Sequence, residues 1–185
     1  KDFWGWQKGD VLLHALPIFH VHGLFVAAHG ALLNGSKMIW LPRLDTVQLI
    51  KHLPRSTVMM GVPTFYVRLL LDPNFNKGVC KNMRLFVSGS APLLTETFNT
   101  FQKVTGHTIL ERYGMSETVM LVSNPYKGSR IGGSVGVALP GVEVRVVNET
   151  GKRCGSNEIG GIEVRGPNIF KGYWRMPEKT AEEFT

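Results

Sequence analysis

The chain has 185 residues, 43% of them hydrophobic, 10% aromatic and 19% charged. That apolar content excludes a disordered chain, and two cysteines, Cys80 and Cys154, are too few to staple a disulfide scaffold. The 21 Lys and Arg against 14 Asp and Glu leave a net charge of +7, yet no basic run is longer than Lys152-Arg153. The charge reads as a mildly basic surface suited to small anions, and no nucleic-acid partner is expected.

A buried strand is predicted over 11–16, closed by Pro17, and a helix over 23–33 that stops at Asn34-Gly35. The stretch 11–33 has the length of a bilayer span. It carries His14, His20, His22 and His29, however, so no membrane span is expected, and the start of the chain is no signal peptide. A second strand over 37–41 ends at Pro42. Asp45 is placed to cap a helix bearing Val47, Leu49, Ile50 and Leu53, which ends before Pro54. A third strand over 57–62 leads into a helix opened by Pro63, whose missing N–H costs nothing in a first turn.

A strand over 84–87 runs into Ser88-Gly89-Ser90-Ala91-Pro92. Thr95 precedes a helix with Phe98, Phe101 and Val104 that ends at Gly106. A strand over 107–112 then runs into Tyr113-Gly114-Met115-Ser116-Glu117-Thr118. Repeated strand–helix–strand units predict an α/β fold, a mainly parallel sheet with covering helices. Such sheets take ligands beyond the carboxyl ends of their strands, where both polar clusters fall. After about residue 125, glycines punctuate short strands over 142–148 and 161–165. A β-rich subdomain over 126–185 is therefore predicted to follow the α/β part over 1–125, with a helix over 176–185.

The densest chemistry lies in Glu111-Arg112-Tyr113-Gly114-Met115-Ser116-Glu117-Thr118. In a turn or helix start beyond a strand, Ser116 would donate to a phosphate oxygen and Glu117 would meet a hard divalent cation. Tyr113 offers a face for a base, and Gly114 lets the backbone approach. The plain alternative is a helix N-terminus capped by Ser116. A serine hydrolase using Ser116 is a second alternative, weakened because Thr118 replaces the small residue that a nucleophile elbow needs. His20 and His22 lack a third metal ligand nearby, so a packed or pocket-lining histidine is expected rather than a zinc pair.

Taken together and in order, these segments resemble the AMP-forming acyl-CoA synthetases, a family of adenylating enzymes. The resemblance is carried by Leu16-Pro17-Ile18-Phe19-His20-Val21-His22-Gly23, Gly61-Val62-Pro63-Thr64, Val87-Ser88-Gly89-Ser90-Ala91-Pro92-Leu93 and Tyr113-Gly114-Met115-Ser116-Glu117-Thr118. It continues through Gly133-Ser134-Val135-Gly136, Leu139-Pro140-Gly141, Val164-Arg165-Gly166-Pro167 and Gly172-Tyr173-Trp174. It implies that Gly89, Ser90 and Ala91 line an adenine site and that Tyr113 stacks on the base, with Glu111 and Gly114 in the same binding segment. Ser116 matches a hydroxyl residue that contacts phosphate, usually Thr in the family. Glu117 matches the acid associated with Mg²⁺, and His20 a position near the acyl carboxylate. The implied reaction joins a carboxylic acid to ATP as an acyl-AMP and then passes the acyl group to coenzyme A.

Arg112 bears on the acid. It directly precedes Tyr113, where the family often has a small residue beside the acyl pocket. A buried guanidinium is costly unless a second substrate carboxylate pairs with it. Met115 would form a bulky, flexible wall at carbon two of the substrate. Phe19-His20-Val21-His22-Gly23-Leu24 and Glu111-Arg112-Tyr113-Gly114-Met115 resemble malonyl-CoA synthetases, which points to malonate or methylmalonate. The alternatives are a fatty or aryl acid, or an Arg112 turned toward solvent or Glu111. The resemblance also places a phosphate loop before Lys1 and a small domain with a catalytic lysine after Thr185, so the isolated chain is expected to be inactive. The cytoplasm is the expected compartment, or the mitochondrion if a leader precedes; the oligomeric state is left open.

Overall fold

The computed structural model describes residues 2–185. Five parallel strands form one side of its main sheet: β1 (Val11–His14), β2 (Lys37–Trp40), β3 (Val58–Gly61), β4 (Leu85–Ser88) and β5 (Leu110–Tyr113). Two short strands, β6 (Val122–Ser123) and β7 (Val137–Ala138), extend it antiparallel, giving the order β2-β1-β3-β4-β5-β6-β7. A separate antiparallel pair holds β8 (Glu143–Val147) and β9 (Gly161–Arg165). The α/β reading therefore stands, with the glycine-rich stretch feeding β7 into the same sheet.

The helices fall where the punctuation puts them. His22–Ala28 is wound as a π-helix and continues as α1 (His29–Leu33), with Asn34 as its C-cap and Gly35 at φ 66°. Asp45 caps α2 (Thr46–His52), its Oδ1 accepting from the Gln48 amide at 3.0 Å. Pro63 opens α3 (Pro63–Leu70), while α4 (Thr95–Thr105) ends at Gly106 in the left-handed region, φ 79°. α4 starts on Thr95 itself, with Leu94 in the N-cap place and no side-chain cap. α5 (Pro177–Glu183) follows near the end of the chain.

β3 and β4 are buried along their whole length, as strands covered on both faces must be, which is why they read as unbroken apolar runs. On one face Tyr66, Phe86 and Phe101 meet edge to face, with Tyr66–Phe101 and Phe86–Phe101 centroids 5.4 and 4.9 Å apart. Asp10, at the amino end of β1, pairs with Arg84 and accepts the Thr57 hydroxyl at 2.8 Å. The starts of β1, β3 and β4 are thereby tied together, and their carboxyl ends fall at one level.

Two sequence expectations shift. β5 begins at Leu110 rather than His107 because His107 is bonded elsewhere: its amide donates to Thr105 Oγ1 at 3.1 Å and its ring contacts the Cys80 carbonyl at 3.1 Å. No helix starts at Ser116. The chain makes one helical turn, with the Val119 amide on the Met115 carbonyl at 2.8 Å, and reverses into β6. Val119 at φ 58° makes the reversal, and a Cβ on Gly114 would collide with the Val119 carbonyl.

Candidate active site

Parallel register aligns Gly61, Ser88 and Glu111 across the carboxyl ends of β3, β4 and β5. The segment after β4 therefore lies against the last residues of β5. Gly89 donates its amide to the Gly61 carbonyl at 3.3 Å, and a methyl on Gly89 would lie 2.5 Å from both Cζ and Nε of Arg112. The absent side chain is the space the guanidinium occupies. Ser90 then turns with φ 69°, exposing its side chain and the Ala91-Pro92 that follow.

Glu111 and Arg112 are consecutive on a strand and so face opposite ways. Glu111, 3% exposed, points back into the fold, where its Oε1 accepts from the Leu93 amide at 3.0 Å. Burial raises its pKa against the pull of the Leu93 and Gly133 amides. Arg112 is 2% exposed, and its Nε and Nη2 have no hydrogen-bond partner. It takes part in none of the ion pairs among the described residues. Neither solvent nor Glu111 satisfies it, so both alternatives raised for it are removed. Burial lowers its pKa to about 10, which keeps it charged at neutral pH.

His22 is the buried neighbour of Arg112 that sequence reasoning underused. With no third ligand near it and His20, a packed or pocket-lining histidine is the expectation from sequence rather than half of a zinc pair, and among the described residues no three or more His, Cys, Asp and Glu gather to hold a metal. The first residue of the π-helix, His22 is 2% exposed and its Nδ1 lies 3.2 Å from Ser90 Oγ, while Nε2 has no partner. Burial first, then the Arg112 charge and His14, push its pKa down to about 2, so the ring is neutral. His20, by contrast, is exposed, its ring tilted against Phe19 at 4.6 Å. The two side chains do not share an environment.

The turn 114–118 presents the rest of the predicted cluster. Tyr113 is half-buried, with its hydroxyl 3.9 Å from Met115 Sδ, and Met115 and Ser116 are exposed. Among the described residues Ser116 has no hydrogen bond to a histidine, and the turn it sits in leads into β6 rather than a helix, so the strand–elbow–helix setting of a serine nucleophile is absent there. Glu117 is half-buried, and its Oε1 accepts from the Tyr173 hydroxyl at 2.9 Å. A single carboxylate with one oxygen outside that bond suits Mg²⁺, which keeps waters and substrate phosphates as its other ligands.

Residues 1–174 match the family described as AMP-binding enzyme. The mitochondrial malonate–CoA ligase ACSF3 of Mus musculus is 40% identical over 217 residues, spanning 98% of this chain and 37% of that protein. The crystal structure of ATP-bound MatB from Rhodopseudomonas palustris is 56% identical with a TM-score of 0.97, covering 100% of this chain and 37% of that one. A malonyl-CoA ligase in a ternary product complex with methylmalonyl-CoA and AMP bound is 40% identical with a TM-score of 0.90, over 100% of this chain and 40% of that one. The chain thus spans little more than a third of the length of these relatives. The carboxyl ends of β4 and β5, where Gly89 lies against Arg112, sit on a fold shared with such enzymes, in agreement with the match along almost the whole sequence: the chain belongs to the AMP-binding enzyme family.

Proposed function

We propose that the whole protein is an acid–CoA ligase that adenylates malonate or methylmalonate with ATP and then transfers the acyl group to coenzyme A. The observation that carries the choice of acid is Arg112, a charged guanidinium at 2% exposure with two nitrogens unpartnered. Burying such a group is unfavourable unless something in the functional state pairs with it. A distal carboxylate offers two oxygens to the guanidinium fork; a fatty or aryl acid offers none.

In this reading one carboxylate of the acid attacks the α-phosphorus of ATP. A P–O bond forms, pyrophosphate leaves with the electron pair of the broken P–O bond, and a mixed anhydride results. The coenzyme A thiol then adds to the acyl carbon and AMP departs. Arg112 holds the far carboxylate, fixing the near one for attack, and Met115 closes the space beside carbon two. His20, from the Phe19-His20 segment, lies toward the reacting carboxylate. Gly89, Ser90 and Ala91 present backbone to the adenine, Tyr113 stacks on it, and Gly114, with Glu111 behind it, sets the course of that segment. Ser116 donates its hydroxyl to a phosphate oxygen. Mg²⁺, held by Glu117, would offset the phosphate charge that builds up during transfer. The two free cysteines suit a reducing compartment, so we place the enzyme in the cytoplasm, or in the mitochondrion if a leader precedes this segment.

The test follows AMP release by the full-length protein with ATP, Mg²⁺ and coenzyme A across malonate, methylmalonate, acetate, succinate and octanoate. Arg112→Ala should lower kcat/KM for malonate by about 100-fold, the worth of two charge-assisted hydrogen bonds, with ATP binding intact. Preference for a monocarboxylate, or an Arg112→Ala enzyme that still prefers malonate, would sink the assignment.

A further inference from the structure

The segment Gly172-Tyr173-Trp174 has no role in the chemistry above, yet one of its side chains reaches that chemistry directly. Tyr173 donates its hydroxyl to Glu117 Oε1 at 2.9 Å across 56 residues of chain. Three bonds from the same stretch to backbone carbonyls fasten the turn that carries Glu117. The Phe170 amide donates to the Glu117 carbonyl at 2.8 Å, and the Asn168 side-chain amide donates to the Thr118 and Met120 carbonyls at 2.7 and 2.9 Å.

Tyr173 is itself held from two sides. Its amide donates to Thr180 Oγ1 at 2.9 Å, and its ring lies edge-on to Phe170 with centroids 4.8 Å apart. The bonds to these carbonyls fix where Glu117 sits; they do not fix where its carboxylate points. Three rotatable bonds separate that carboxylate from the main chain, and the only side-chain bond recorded for it among the described residues comes from Tyr173.

We propose that Tyr173 is a positioning residue for Glu117, its hydroxyl holding Oε1 so that Oε2 is turned toward the metal–ATP complex. The inference rests on the reading that Glu117 is the metal-binding carboxylate. A carboxylate free to rotate loses entropy when it takes a metal, whereas one already oriented does not. Tyr173 does not touch the substrate, and its contribution is confined to binding that depends on the metal.

The experiment uses the full-length protein and calorimetric ATP titrations, once with Mg²⁺ and once with EDTA. The wild type, Tyr173→Phe, Glu117→Gln and the double variant are compared. Tyr173→Phe keeps the ring against Phe170 and removes only the donor. It should reduce the Mg²⁺-dependent gain in ATP affinity by about tenfold, the loss of one hydrogen bond to a charged group. ATP binding in EDTA and the melting temperature should stay as in the wild type. Glu117→Gln should remove the Mg²⁺ gain, and adding Tyr173→Phe to it should change nothing more. A Tyr173→Phe protein with an undiminished Mg²⁺ gain overturns the inference while leaving Glu117 as the metal carboxylate. So does an equal loss with and without Mg²⁺, which would mark Tyr173 as structural. A Glu117→Gln protein that keeps the Mg²⁺ gain overturns the metal assignment and this inference with it.

Discussion

His22 and Arg112 share one wall, and the cost of that neighbourhood falls on the histidine. A ring this buried beside a guanidinium stays neutral in the folded protein, with its pKa pushed down to about 2 from 6.5. Unfolded, it titrates normally. Its contribution to stability is therefore fully present above pH 6.5 and is lost as the pH falls below that value, where only the unfolded chain takes the proton. Between about pH 7.5 and about pH 5.5 this histidine should cost the parent protein about 1.4 kcal/mol of stability. His22→Asn, which can keep a donor near Ser90 Oγ, should remove that component, so the variant's denaturation midpoint should fall less over the same range. Parallel slopes for the two proteins would mean that His22 is solvated or charged in the native state. Arg112 was legible in the sequence because a guanidinium next to a pocket residue is chemically out of place. His22 was not, because two histidines at i and i+2 look alike on paper. What separates them is that His22 opens a π-helix and turns onto Ser90, a residue 68 positions away.

The elements most clearly written in the sequence are those bounded by residues with a single conformational meaning. Asp45, Pro63, Gly106 and the Asn34-Gly35 pair each mark the end they were expected to mark. The reversal after β5 escaped because its cause lies across space: Gly114 has room only against the Val119 carbonyl, and β6 pairs back onto β5. The Tyr173–Glu117 bond escaped for the same reason, since no local pattern links positions 56 apart. The glycine-rich stretch carried no mechanism in the sequence, and the structure gives it an architectural one. Asn124 donates to the Glu111 carbonyl at 3.0 Å and also to the Ser134 carbonyl, while its Oδ1 accepts from the Ile131 amide at 3.4 Å. Gly136 then passes so close to Ser123 that a Cβ would enter the Ser123 carbonyl, and its φ of 89° disfavours any side chain. Gly136→Ala should therefore strip β7 from β6 and destabilise the parent protein by about 2–4 kcal/mol. Urea unfolding checks it: an unchanged midpoint would mean that β7 is not held by this contact.

At the scale of the molecule, apolar surface is distributed unevenly. α1 and the π-helix before it present Phe25, Leu32 and Leu33 at 52, 61 and 75% exposure. Phe25 meets His29 edge-on at 5.1 Å, so these positions form one stripe on the outside of the helix. β2 is the last strand of the sheet, with Trp40 at 48% exposure and one row of backbone groups unpaired by any strand among the described residues. An exposed apolar helix face drives association when nothing covers it, and so does an open strand edge. No helix among the described residues is long and apolar enough to cross a membrane, so insertion of such a helix does not account for the stripe. The chain spans 37% of the mouse relative, and the prediction is that polypeptide outside this segment covers the face in a full-length protein. Expressed alone, the 185-residue chain should sediment as concentration-dependent oligomers and bind an apolar dye. Leu32→Lys with Leu33→Glu should shift it toward monomer and dim the dye, whereas the full-length protein should bind little dye to begin with. A wild-type chain that stays monomeric and dark across a concentration series would show that this face is compatible with solvent. The exposed stripe would then be an ordinary surface of the domain and not the scar of a missing neighbour.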